Sequence, residues 1–206
     1  MPLLQQILAA GPLDWLAMLT SLTYVVLAAR SNNWCWLFAA ISTAVWAYQS
    51  YFEYNLVSDA LLQVFYFIMA GVGLWRWQSS AQEGAVVPVV RMTVQEHALT
   101  IGGGLAGGLA LGYFFSATMT AAATYPDAIT TVFSIITTFL LVGRRLENWL
   151  YWVVIDIAYV WIYLSTGAAL FGLMMVINVG VAVYGFSSWR KELATDSKAF
   201  RYVDGC

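Results

Sequence analysis

The chain has 206 residues, of which 61% are hydrophobic and only 10% charged, with a formal net charge of −2. A soluble domain carries about 25% charged residues; this composition excludes a soluble globular fold and makes lipid the solvent for much of the surface. A membrane-crossing helix needs roughly 20 mostly apolar residues, and seven such stretches are present.

The first span covers residues 13–30. No basic segment precedes it and no small-residue cleavage site follows, so it reads as a retained helix rather than a signal peptide. After Ser31-Asn32-Asn33 the second span runs over 34–53 and contains Trp36, Thr43 and Trp46 on one stripe. Beyond Glu53-Tyr54-Asn55 the third span, 57–76, presents Gln63, Tyr66 and Ala70 along one face. Residues 78–96, with Gly84 and Pro88, form a polar connector. The fourth span, 97–116, contains GGGLAGGLALG, with Gly104, Gly108 and Gly112 four residues apart. Small residues at that spacing let helices approach closely in lipid; a phosphate-cradling loop would follow a strand instead.

The fifth span, 127–143, carries Thr130, Ser134 and Thr138 on one face, where hydroxyls either meet a solute or bond back to their own helix. In the sixth, 148–165, Trp149, Trp152, Asp156 and Tyr163 share one helical face, flanked by Tyr159. Asp156 is the one acid well inside a span. An ionisable group there is costly, so it faces either a cavity or a neighbouring helix. The tryptophans read as solute contacts or, for Trp149 above all, as members of an interfacial belt. The seventh span, 168–188, aligns Met175, Asn178 and Ala182. Gln63 and Asn178 place one amide deep in each half, as solute ligand or as interhelical glue. The polar tail 190–206 reads as frayed.

Alternating the loops between two sides puts all the Lys and Arg residues on one: Arg30, Arg76, Arg91, Arg144, Arg145, Arg190, Lys191, Lys198 and Arg201. The opposite side holds Asp14, Glu53, Asp59 and Asp127. Basic residues mark the cytoplasmic side, which puts the N-terminus outside and the C-terminus inside.

The two halves repeat each other. Asp14 pairs with Asp127, Asn33-Trp34 with Asn148-Trp149, Gly73 with Gly185 and Trp77 with Trp189, at offsets of 112 to 115 residues. Three helices reverse a chain, so two consecutive triplets would face opposite ways; the unpaired fourth span makes them parallel. The fold expected is therefore an all-α membrane protein. A first three-helix bundle (13–77), a cytoplasmic connector (78–96) and a linker helix (97–116) precede a second bundle (127–189) and a tail (190–206). Parallel repeats of this kind occur in transporters with substrate sites at the repeat interface.

Neither a metal nor a catalytic constellation is present. His97 stands beside Glu96 with no second His or Cys nearby, and Cys35 and Cys206 form no framework. A retinal receptor would need a lysine in the last span, which has none. A purely structural membrane protein stays open as the alternative to a transporter.

The strings SDALLQVFYF in span three, DAITTVFSI in span five and ENWLYWVVID in span six resemble the PnuC family of bacterial vitamin transporters, over nearly the whole chain. The resemblance implies a SWEET-like fold in the inner membrane and import of nicotinamide riboside, or of thiamine or riboflavin. It further implies facilitated diffusion without cofactor, with a cytoplasmic kinase trapping the vitamin. It maps the W-x-x-W tryptophans onto Trp149 and Trp152, and the span-three glutamine onto Gln63. Two departures bear on which vitamin is carried: Val72-Gly73-Leu74 replaces Y-G-W, and Trp36-Leu37-Phe38-Ala39 replaces W-P-x-G. A pyridinium or thiazolium cation would be drawn to tryptophan faces by roughly 0.5–2 kcal/mol each, with Asp156 balancing its charge. The substrate-facing set expected is Trp149, Trp152, Asp156, Gln63, Tyr66, Asn178, Thr43, Trp46, Ser134, Thr138 and Tyr159. Partners are the vitamin and the bilayer, with no nucleic acid; self-association is open.

Overall fold

A computed structural model describes residues 3–53, 57–82, 87–118 and 124–203. These residues form α1 (Leu3–Ala9), α2 (Pro12–Ala29), α3 (Cys35–Tyr48), α4 (Val57–Gln82), α5 (Val94–Thr118), α6 (Thr124–Val142), α7 (Asn148–Ser165) and α8 (Ala169–Val203). A π-helical turn, Gln49–Glu53, prolongs α3. There is no strand among the described residues. Among the described residues, five helices are long and apolar enough to cross a membrane: α2, α4, α5, α6 and α8. The shorter α7 still exposes a wholly apolar stripe of Leu150, Val154, Ile157, Trp161 and Leu164, a face suited to lipid.

Three expectations are corrected. A short helix, α1, precedes the first expected span, and its Gln6 side chain bonds both Gly167 O and Leu170 N at the α7–α8 turn. The tail is not frayed from 190: α8 continues to Val203, with Trp189 fully buried and its indole N–H donating to Ala28 O at 3.2 Å. Finally, α5 starts earlier, at Val94, because Thr93 and Glu96 form a reciprocal cap. Thr93 N–H donates to the Glu96 carboxylate (2.7 Å) and Glu96 N–H to Thr93 Oγ1 (3.2 Å), satisfying donors that a helix start leaves orphaned. Tyr54, Asn55, Gly84 and Cys206 lie outside the described residues.

The chain divides into two compact units. One contains Val89–Phe186 with the first six residues; the other contains Ile7–Pro88 with the segment from Ser187 onward. In the first, α5 and α6 pack antiparallel through the glycine stripe. Gly104 lies against the Phe133 ring, Gly108 against the Ile129 backbone and Gly112 against Tyr125, so any Cβ there would fall 2.5–2.7 Å from a neighbouring atom. Lipid offers no hydrophobic drive between helices, which makes this close approach the source of their attraction. In the second unit, Trp36 packs edge-on against Trp77 (5.1 Å) and Trp77 against Trp189 (6.1 Å). Such aromatic pairs contribute about 0.5–1.5 kcal/mol beyond area burial.

The internal repeat is visible in the backbone. Both α2 and α6 end in the same left-handed cap, with Ser31 at φ 55° and Arg144 at φ 53°. Around each, Asn32 N bonds Leu27 O as Arg145 N bonds Leu140 O, and Ser31 N bonds Ala28 O as Arg144 N bonds Leu141 O. This is the Schellman pattern, repeated at an offset of 113 residues. That register corrects the alignment of the tryptophans. Trp149 corresponds to Trp36, not to Trp34: Trp36 and Trp149 are 2% and 1% exposed, whereas Trp34 is 65% exposed. Each buried indole sits flat on a glycine, Trp36 on Gly73 and Trp149 on Gly185. Arg144, expected with Arg145 in a loop on the basic side, is buried within this cap.

Candidate functional site

Helix α7 starts from the capped α6–α7 turn and buries Asn148, Trp149, Ile155, Asp156 and Ile162. The seat of Trp149 is fixed by Gly185 of α8, where a Cβ would come within 2.6–2.8 Å of three indole atoms. One turn on, Trp152 is half-buried on the same face. Asp156 follows at 6% exposure and is the one buried acid among the described residues; none of these provides it with a hydrogen bond or an ion pair. An ionisable group inside an apolar span is costly, which makes Asp156 the most unusual side chain on this face.

Tyr159, a turn beyond Asp156, lies against the hydroxyls of Thr130, Ser134 and Thr131 on α6. Those hydroxyls are ordered by their own helix: Thr130 donates to Pro126 O (2.9 Å), Ser134 to Thr130 O (2.8 Å) and Thr138 to Ser134 O (2.8 Å). Their protons are therefore committed, and Ser134 and Thr138 can offer a solute only acceptor lone pairs. On α8, Asn178 is half-buried, and its Oδ1 is shielded from solvent with no hydrogen-bond partner among the described residues. These seven candidates, Trp149, Trp152, Asp156, Tyr159, Ser134, Thr138 and Asn178, all belong to the first unit.

Gln63, Tyr66, Thr43 and Trp46 belong to the second. Gln63 and Tyr66 are half-buried on α4, with Tyr66 in edge contact with Phe65 (5.4 Å). Thr43 donates to Ala39 O at 2.8 Å, and Trp46 is half-buried one turn along α3.

The sequence reading missed two features. Gln49, 1% exposed, donates through Nε2 to Asp14 at 2.6 Å, while the adjacent Ser50 hydroxyl donates to Asp59. Polar residues at the end of an apolar stretch were the signal available. The second is a clasp between the connector and the α6–α7 turn. Val90 N bonds Arg144 O (3.1 Å), Leu146 N bonds Val90 O (2.9 Å) and Met92 N bonds the Glu147 carboxylate (2.8 Å). Glu96 pairs with Arg145 at 2.5 Å, and His97 Nδ1 is hydrogen-bonded to the Tyr151 hydroxyl at 2.8 Å. The lone histidine thus has a structural tie. No group of His, Cys, Asp and Glu able to hold a metal ion occurs among the described residues.

Residues 11–191 match the family described as nicotinamide mononucleotide transporter. The nicotinamide riboside transporter PnuC of Neisseria mucosa is 26% identical over 196 residues, which cover 88% of this chain and 74% of that protein. The crystal structure of a vitamin B3 transporter PnuC shares the fold at a TM-score of 0.71 and 24% identity, over 89% of this chain and 82% of the other.

Proposed function

Because the chain belongs to the PnuC family of nicotinamide mononucleotide and riboside transporters, and is thus a multi-pass membrane transporter and not an enzyme, we propose that its own cargo is nicotinamide riboside. The observation that carries this reading is the α7 face, where Asp156, a buried carboxylate with no partner among the described residues, stands one turn beyond Trp152. A pyridinium cation answers both groups: the indole faces of Trp149 and Trp152 attract it by about 0.5–2 kcal/mol each, and Asp156 neutralises it. The acceptor of Asn178 suits a ribose hydroxyl, as do Gln63 and the hydroxyl row of Ser134, Thr138 and Tyr159. Tyr66, Thr43 and Trp46 complete the substrate-facing set.

In this reading α2, α3 with its π-turn, and α4 form one three-helix bundle. The last three helices form a parallel second bundle, and α5 is the linker, a SWEET-like arrangement of seven spans. The distribution of Lys and Arg supports an outside N-terminus in the bacterial inner membrane. Transport is passive and uncoupled, and a cytoplasmic kinase traps the vitamin by phosphorylating it. Thiamine also presents a ring cation and is the rival cargo. The retained residues of the two departing motifs, Trp36 and Gly73, pack on each other, so the departures leave that contact intact.

Calorimetric titration of the purified protein with nicotinamide riboside, thiamine and riboflavin tests the proposal. Micromolar binding of nicotinamide riboside, lost in Trp152→Ala, is the expected result. Binding of thiamine alone would transfer the assignment to it, and accumulation of unmodified vitamin driven by an inward proton gradient would sink the uncoupled mechanism.

A further inference from the structure

The connector 87–93 is neither a spacer nor a loose loop. Val89 is 1% exposed and Met92 8%, which anchors the segment on both sides of Val90, itself bridged in both directions to the α6–α7 turn. Further along, Glu96 reaches Arg145 and His97 reaches Tyr151, whose rings also stack at 5.9 Å. The Glu96–Arg145 pair is about a third exposed and contributes little on its own. The backbone bridge and the buried anchors contribute more. The glycine stripe fixes α5 to α6, and the clasp adds the tie to α7 just where that helix begins.

We propose that segment 89–97 is a clasp that sets the position of the α7 tryptophans, and that Glu147 and His97 are positioning residues acting through it. Glu147 occupies the N-cap of α7 yet makes no capping hydrogen bond with its side chain. Its carboxylate instead holds Met92 N–H. His97 grips Tyr151, the residue between Leu150 and Trp152. Trp149 and Trp152 therefore leave the turn at an angle fixed from outside their own helix. The binding arm of the test rests on the cargo proposed above; the exchange arm does not.

The experiment compares the full-length protein with Glu147→Ala, which deletes the acceptor, and Glu147→Gln, which keeps an acceptor oxygen without the charge. In hydrogen exchange, amides 150–153 of α7 are expected to exchange about tenfold faster in Glu147→Ala, while those within α6 stay unchanged and Glu147→Gln restores protection. In titration, Glu147→Ala weakens nicotinamide riboside binding by about 3- to 10-fold and Glu147→Gln by less than about twofold. Tyr151→Phe keeps the ring and loses only the hydroxyl. It gives the same pattern to a smaller degree and serves if Glu147→Ala does not fold. Unchanged exchange in α7, or accelerated exchange with unchanged affinity, overturns the clasp as a positioning device, as does a Gln variant that behaves like Ala. If the wild-type protein does not bind nicotinamide riboside, the cargo assignment fails and the exchange arm still decides the clasp.

Discussion

Replacing Gly185 with alanine tests whether the Trp149 seat serves binding or only packing. The new Cβ would lie 2.6, 2.7 and 2.8 Å from three indole atoms, so the ring must retreat by about 0.8 Å, from 2.6 Å to the 3.4 Å where ordinary contact begins. The ring is rigid and 1% exposed, so it cannot yield by rotating a flexible end. Overpacking of this kind costs about 1–3 kcal/mol, and each kcal/mol lowers the melting temperature by about 2–4 °C in a chain of this size. A displaced indole also forfeits its share of cation–π attraction, about 0.5–2 kcal/mol, which corresponds to roughly 2- to 30-fold in Kd. Gly73→Ala is the control, since it creates the same clash with Trp36, at 2.4–2.5 Å, at the repeat-related position outside the proposed site. Both variants should lose thermal stability in detergent, and only Gly185→Ala should weaken nicotinamide riboside binding by titration. Equal losses of affinity in the two, or an unchanged melting temperature in Gly185→Ala, would refute the reasoning.

Other outcomes follow from the same packing. Gly108→Ala drives a Cβ to 2.7 Å from the Ile129 backbone, which has no side-chain escape, whereas Gly103 has nothing within 4 Å. Gly103→Ala should be neutral or stabilising by up to about 1 kcal/mol through helix propensity, and Gly108→Ala clearly destabilising, as read by thermal unfolding. Asp156→Leu removes a buried carboxylate that has no partner among the described residues and should raise stability by about 1–3 kcal/mol while weakening binding of a cationic vitamin. A fall in melting temperature would mean that the acid is structural. Gln49→Leu breaks the bond to Asp14 and should cost about 1.5–3 kcal/mol, the range for hydrogen bonds to charged groups, with vitamin affinity unchanged in a titration.

Much of this protein is written in its local chemistry. Apolar runs set the spans, the glycine spacing in 104–112 announced a close helix contact, and the recurring Asp, Gly and Trp landmarks announced a duplication. These signals are legible because each depends on residues a few positions apart or on periodicity alone. The register of the duplication was not legible, because Asn33-Trp34 matches Asn148-Trp149 as a string. Only the left-handed caps at Ser31 and Arg144, and the two glycine seats, show that Trp36 is the true counterpart of Trp149. The clasp was equally hidden. Val90 and Arg145 stand 55 residues apart, in segments too short to show periodicity, and backbone pairing leaves no side-chain signature. Sequence alone thus located the long apolar helices and the unusual face of several, while the short α1 and the helical extension of α8 to Val203 escaped it. Which indole and which carboxylate are buried was decided by tertiary packing, because burial depends on what the neighbouring helix brings to the contact.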